Sequence, residues 1–326
     1  MAVYTEVSDE ELEEFVAGYD IGEVLSFKGI AEGVENSNYL LQTDRGNYIL
    51  TLYEKRTKPE DLPFFLGLME HLAARGLACP TPLHGRDGQS LRELCGRPAA
   101  IVTFLTGMSA RRLTLAHCAA LGEAMAELHL KGADFPQSRN NDLSVAGWRP
   151  LFEAAKARAD EVKPGLAEFI EAELAALEQE WPQALPMGVI HADLFPDNVF
   201  FRADKATHAE NVSGLIDFYF ACTDALAYDI AICLNAWCFE PDGSFNATKA
   251  MLMLNGYRKV RPLSVDELQA LPLLARGAAM RFLLTRLYDW LNTPAGAFVK
   301  RKDPLEYYRK LRFHQGITGP GAYGIE

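Results

Sequence analysis

The segment H-A-D-L-F-P-D-N at residues 191–198, followed by L-I-D-F at 215–218, constrains this chain more than any other feature. V-I-H leads into the first segment, N-V-F-F leads out of it, and S-G-L-I-D-F follows. These short apolar runs read as strands. Strand, polar loop, strand, turn and a third strand ending in an acid can gather three oxygen-bearing side chains around one point. Asp193 sits in the loop, where a carboxylate can reach a substrate hydroxyl. Asn198 closes the loop, and Asp217 ends the last strand. Both are hard oxygen ligands, suited to Mg²⁺ held together with phosphate oxygens. His191 reads as a core residue that holds the loop by a hydrogen bond.

The texture on either side of residue 107 differs. Ser8 and Glu11 form a capping-box pattern that predicts a helix from Asp9 to about Tyr19. Strand-like pieces follow (V-L-S-F-K-G-I, S-N-Y-L-L-Q-T, N-Y-I-L-T-L-Y), the last two split by the turn Asp44-Arg45-Gly46. A helix is expected between Pro59 and Gly76, and strands on both sides of Arg97-Pro98. Beyond Gly107 apolar stripes predict helices over 115–130, 151–162, 166–181, 228–239, 247–260 and 265–291, around the β-rich island that carries the polar loop.

Composition excludes several classes. Acidic residues outnumber basic ones, 44 to 32, for a net charge of −12, so a nucleic-acid footprint is absent. A polyanionic ligand would need a local site, helped by a cation. The six cysteines lack zinc-ligand spacing and read as reduced thiols of a cytoplasmic protein. The acidic N-terminus is unlike a signal peptide, and no long apolar run predicts a membrane span.

The spacing H-x-D-x-x-x-x-N, then I-D-F, resembles the catalytic and metal loops of protein-kinase-like phosphotransferases. Its form is similar to the aminoglycoside and choline kinase branch. The resemblance implies a two-lobed α+β fold. Residues 1–106 would form a small antiparallel β lobe with one main helix that binds nucleotide. Residues 107–326 would form a larger, mostly helical catalytic and substrate lobe. It implies ATP and Mg²⁺, with Asp193 as base and Asn198 and Asp217 on the metal. The loop at 29–39 would cover the phosphates through Gly29, Gly33, Asn36, Ser37 and Asn38. Glu70 matches the family's helix glutamate, and Thr103, Phe104 and Leu105 would meet adenine. A-L-A-Y-D-I-A at 225–231 resembles the segment in which Asp229 accepts hydrogen bonds from the loop backbone. One departure is clear: Thr51 stands where the family usually has a strand lysine. Lys55 shares its side-chain parity but lies ~13 Å along the strand at ~3.3 Å per residue. Lys28 on the first strand is another candidate.

Nearly the whole chain resembles the bacterial homoserine kinases of this type, through F-K-G-I-A-E-G-V-E-N-S-N-Y, Y-I-L-T-L-Y-E-K and R-F-L-L-T-R-L-Y-D-W-L among other segments. Thr51 then belongs to the T-L-Y-E form of that branch. The implied substrate is the small molecule L-homoserine, phosphorylated on its hydroxyl on the way to threonine. Its carboxylate needs a cation or several donors, and its ammonium an acid or acceptors. Arg281, Thr285, Tyr288 and Asn292 share one stripe of a helix that either faces solvent or lines a cleft. Arg281 is the expected carboxylate partner, Tyr288 a further contact, and Asn235 and Trp237 a wall. Tyr219 and Asp224 are candidates for the ammonium. Open alternatives are a kinase for choline, methylthioribose or an aminoglycoside, a non-catalytic nucleotide-binding regulator, and a metal-dependent phosphoesterase.

Overall fold

A computed structural model describes residues 5–30, 36–54, 57–204, 206, 210–293 and 301–325. The chain divides into two compact units, one of Met1–Gly107 with Phe135–Gln137 and Ser213–Tyr219, the other of the remainder.

In the first unit α1 (Asp9–Ala17) begins at the capping box, with Ser8 accepting from the Glu11 N–H and Glu11 accepting from Ser8. Five antiparallel strands follow: β1 (Val24–Gly29), β2 (Ser37–Thr43), β3 (Gly46–Leu52), β4 (Arg92–Leu94) and β5 (Arg97–Thr103), in the order β1-β2-β3-β5-β4. Thr43 pairs with Gly46 across the turn, which fixes the register and sets Asn38 opposite Thr51. Alternation then sorts the faces. Tyr39, Leu41, Leu50, Leu52 and Ile101 join Leu12, Phe15 and Val16 of α1 in one core. Asn38, Thr51 and Tyr53 belong to the opposite face. Helix α2 (Leu62–Ala74) buries Phe64, Phe65, Leu68, Met69 and Leu72. The two later segments belong here through Phe135 against Phe64, Tyr219 against Phe65, and the Leu215 N–H on Ala78 O.

The second unit is mostly helical: α3 (Leu115–Lys131), α4 (Val145–Glu153), α5 (Ala159–Val162), α6 (Leu166–Glu180), α7 (Leu226–Trp237), α8 (Ala247–Val260), α9 (Val265–Asn292) and α10 (Pro304–Gln315). Strands β6 (Met108–Ser109), β8 (Val199–Ala203) and β9 (Glu210–Leu215) form one small sheet, and β7 (Met187–Ile190) pairs with β10 (Cys222–Ala225). α3 and α8 approach backbone to backbone. A Cβ on Gly122 would run into Met253 O, and one on Gly256 into Ala119 O. The helix expected over 151–162 is instead α4, a 3₁₀ turn at Lys156–Arg158 and short α5. α4 starts six residues earlier than expected, after Ser144, and carries Pro150 within it. Among the described residues no helix is long and apolar enough to cross a membrane.

Candidate active site

Strand β7 delivers the chain into the polar loop, and most of the backbone groups there have a partner. Ala192 adopts a left-handed conformation, φ 62°, which costs a non-glycine residue about 1–2 kcal/mol. It persists because both sides of the turn are clamped. The N–H groups of His191 and Ala192 donate to Asp229 at 2.8 Å each, one to each carboxylate oxygen. Ala192 O accepts from Arg281 Nη1 at 2.7 Å, and Leu194 O from Trp237 Nε1 at 2.7 Å. The Asp193 N–H donates to His191 Nδ1 at 3.3 Å, so His191 braces the loop as read from the sequence.

Asp229 has no exposed surface and also meets His129 Nε2 at 3.1 Å. His129 Nδ1 faces the Tyr257 hydroxyl at 2.7 Å, which in turn accepts from Arg261 at 3.2 Å. Burial pushes the Asp229 carboxyl up, but the hydrogen bond and charge of His129, with His191, outweigh it and hold the group below its ordinary value. A buried carboxylate thus anchors the loop from α7.

At the centre of the loop the Asn198 amide donates to Asp193 O at 2.7 Å and to Asp193 Oδ2 at 3.1 Å. Burial raises the Asp193 carboxyl, partly offset by the charges of Arg281, His191 and Lys302 and by the Asn198 hydrogen bond. A carboxylate with raised basicity and fixed position is suited to accept a proton from an alcohol. The Asn198 amide hydrogens point to Asp193, which leaves its Oδ1 to coordinate a hard cation. In the first unit, Asp217 follows the apolar run of β9 in a left-handed conformation, φ 66°, with its side chain exposed. Beside it the Tyr53 hydroxyl donates to the Tyr219 hydroxyl at 3.2 Å. Burial, and to a lesser degree the charge of Asp217, pushes Tyr219 up to about 12.

Several expectations need correction. Ser37 is fully buried on the core face of β2, where its hydroxyl donates to Glu54 Oε1 at 2.7 Å. Asn36, 4% exposed, accepts from the Glu54 N–H and the Thr57 hydroxyl. Both fasten the root of the 29–39 loop to Glu54 rather than standing free for phosphate. Asn38 instead accepts from the Thr51 hydroxyl at 2.8 Å, on the other face. Gly29 ends β1, whereas Gly33 and Lys55 lie outside the described residues. Glu70 is taken by His84, Oε1 to Nε2 at 2.7 Å, so the helix glutamate pairs with a turn histidine. Lys28 is exposed on β1. The Thr103 N–H and hydroxyl both engage Thr81, and Phe104, the next residue, is exposed.

The proposed substrate wall also differs. Asn235 and Trp237 have no exposed surface. The Asn235 amide spans α7 and α9, donating to Ala231 O and Ala275 O, while Trp237 caps the loop. Arg281 is 1% exposed and lies beneath the loop, so in this arrangement it cannot meet a substrate carboxylate. Its helix stripe changes environment along α9, and Tyr288 is exposed. Asp224 is engaged by Asn141 at 2.7 Å. His129 on α3 is a further residue of the loop's support, absent from the motif. Its signal was a histidine on an apolar stripe of α3, which needs a buried partner.

Residues 26–263 match the phosphotransferase enzyme family. The chain is 78% identical over 326 residues to a homoserine kinase from Paramagnetospirillum magneticum, covering 100% of both chains. It is 66% identical to a homoserine kinase from Xanthobacter autotrophicus, covering 100% of this chain and 99% of that one. The solved structure of a choline kinase from Cryptosporidium parvum superposes with a TM-score of 0.67 at 15% identity, over 94% of each chain. At that identity the likeness establishes a kinase-like α+β fold.

Proposed function

The chain belongs to the phosphotransferase enzyme family, and we propose that it transfers the γ-phosphoryl group of ATP to the hydroxyl of L-homoserine, giving ADP and O-phospho-L-homoserine. The observation that carries the chemistry is Asp193, a carboxylate of raised basicity on a loop fixed by Asp229, Arg281 and Trp237. What supports the substrate is identity of 62–78% along the full length with relatives named homoserine kinases. The product belongs to the route to threonine, and a reaction of ATP with a free amino acid suits the cytoplasm.

Asp193 orients the acceptor hydroxyl and takes its proton as the oxygen–phosphorus bond forms and the bond to ADP breaks. Such transfer relies on positioning and charge neutralisation and needs no covalent enzyme intermediate. Asn198 holds Asp193 through its amide hydrogens; its oxygen in the second unit and the Asp217 carboxylate in the first are the groups that would hold Mg²⁺. Among the described residues no cluster of three or more His, Cys, Asp or Glu could hold a metal alone. When bound, Mg²⁺ neutralises phosphate charge. Asn38 and the backbone of Gly29 and Gly33 are assigned to the phosphates, and that of Phe104 and Leu105 to adenine.

A coupled ADP-release assay across L-homoserine, serine, threonine, choline, methylthioribose and kanamycin tests the proposal. Preference for L-homoserine is expected. Preference for choline, methylthioribose or kanamycin would replace the substrate, and no turnover of any acceptor would favour a regulator.

A further inference from the structure

With Arg281 committed beneath the loop, the cation for an acceptor carboxylate must come from elsewhere. Lys302 lies in the short segment before α10, and that segment is pinned on both sides. Arg301 donates to Trp290 O at 3.0 Å and stacks on the Trp290 ring. Asp303 caps α10 through the Leu305 N–H at 2.8 Å, and its carbonyl accepts from Arg286. Between these anchors the Lys302 side chain is exposed, with Nζ 5.6 Å from the centre of the Phe195 ring. Phe195 stands two residues after Asp193 and its N–H donates to Asp193 O at 2.7 Å. Its ring is itself fixed edge-on against Phe282, at 5.0 Å.

Two cations of the second unit, Arg281 and Lys302, act on the Asp193 carboxylate. One is buried and hydrogen-bonded to the loop. The other is exposed and, among the described residues, has no carboxylate partner. An ammonium resting on an aromatic face keeps its three donors for a ligand. Homoserine separates its hydroxyl from its carboxylate by three carbons. With the hydroxyl at Asp193, the methylenes can cross the Phe195 ring and the carboxylate can reach a flexible lysine stem.

We infer that the Lys302 ammonium binds the carboxylate of the acceptor whose hydroxyl rests on Asp193, with Phe195 as the apolar floor between them. This rests on the L-homoserine reading above and assigns the residue that selects an amino acid over an amino alcohol.

The test compares wild type, K302M and K302R on L-homoserine and on homoserinol, in which the carboxylate is a hydroxymethyl group. Methionine keeps the length and apolar stem of lysine without its charge. Wild type is expected to prefer homoserine. K302M should raise the homoserine KM about ten- to a hundredfold, the worth of one charge-assisted hydrogen bond. Its ATP KM and its homoserinol KM should stay near wild type, and K302R should restore part of the preference. An unchanged homoserine-to-homoserinol ratio in K302M overturns the assignment while leaving the substrate reading intact. A fall in kcat shared by both acceptors with the homoserine KM unmoved also overturns it, because Lys302 would then act on the reacting centre and not on the acceptor carboxylate. Failure of wild type to use homoserine at all removes the substrate reading and the assignment together.

Discussion

Replacing Asp229 by Asn tests whether the loop is held from α7. The carboxylate accepts two backbone N–H groups at 2.8 Å and faces His129 Nε2 at 3.1 Å, with no exposed surface. An amide keeps one acceptor oxygen and turns an NH₂ toward a donor that must then go unpaired. Losing one charge-assisted bond costs about 1.5–3 kcal/mol, and stranding a buried N–H costs about 1–3 kcal/mol more. The total of roughly 2.5–6 kcal/mol brackets the penalty of about 3–5 kcal/mol for breaking a buried charged contact. All four tryptophans, at 148, 181, 237 and 290, lie in the second unit, so their fluorescence during urea unfolding reports that unit. A lower midpoint at unchanged slope is expected, with kcat reduced because Ala192 loses one side of its clamp. The sign with pH is also fixed. A carboxyl held below its ordinary value stabilises the fold above the unfolded-state pKa of about 3.9, and that stability is lost as pH falls through the folded value. The deficit of the variant should therefore be constant near neutrality and shrink in acid. His129→Gln keeps both backbone bonds and should cost less. Wild-type unfolding and turnover in Asp229→Asn would refute the reasoning.

Asp193→Asn should fold normally by circular dichroism while kcat falls ~10²–10⁴-fold; wild-type turnover would remove Asp193 as the base. Asp217→Ala should shift the Mg²⁺ dependence of turnover further than Asn198→Ala, since a carboxylate offsets the ion's charge and an amide does not; equal, unshifted Mg²⁺ titrations would contradict both assignments. His314 is buried beside the Tyr323 hydroxyl at 2.9 Å, and burial, with the nearby charge of Lys310, pushes it down to about 3. Below about pH 6.5 the unfolded chain takes up a proton that the folded chain refuses, so stability should fall with pH by at most about 1.4 kcal/mol per unit. Urea midpoints across that range measure the slope, and His314→Gln should flatten it.

The fold was legible where local pattern decides it. The capping box of α1, the Asp44-Arg45 hairpin and the apolar stripe of α9 are written in short windows. Asp193 and Asn198 were legible because five residues of one loop set their relation, and Asp229 because its segment resembles a known anchor. Arg281 was misread for a physical reason. Helical periodicity gives the face of a residue but not its depth, and α9 runs from core at Arg281 to surface at Tyr288. Glu70 was placed by family position, but its partner His84 sits in a turn fourteen residues away that no periodicity announces. Alternation of β2 does put Ser37 with Tyr39 and Leu41, so its burial was available from the strand pattern. The return of residues 213–219 to the first unit is a tertiary fact with no shift of composition to mark it.

The left-handed turn at Ala192 also has a consequence in time. Its three supports lie far along the chain: Asp229 is 37 residues downstream, Trp237 is 43 residues beyond Leu194, and Arg281 is 89 residues beyond Ala192. Contacts so distant in sequence form late, after local helices have already appeared. Until α7 and α9 dock, nothing offsets the conformational cost of the turn, and Asp193 has no fixed position. During refolding the far-UV helical signal should therefore recover before turnover does. Catalytic competence is among the last properties the chain acquires.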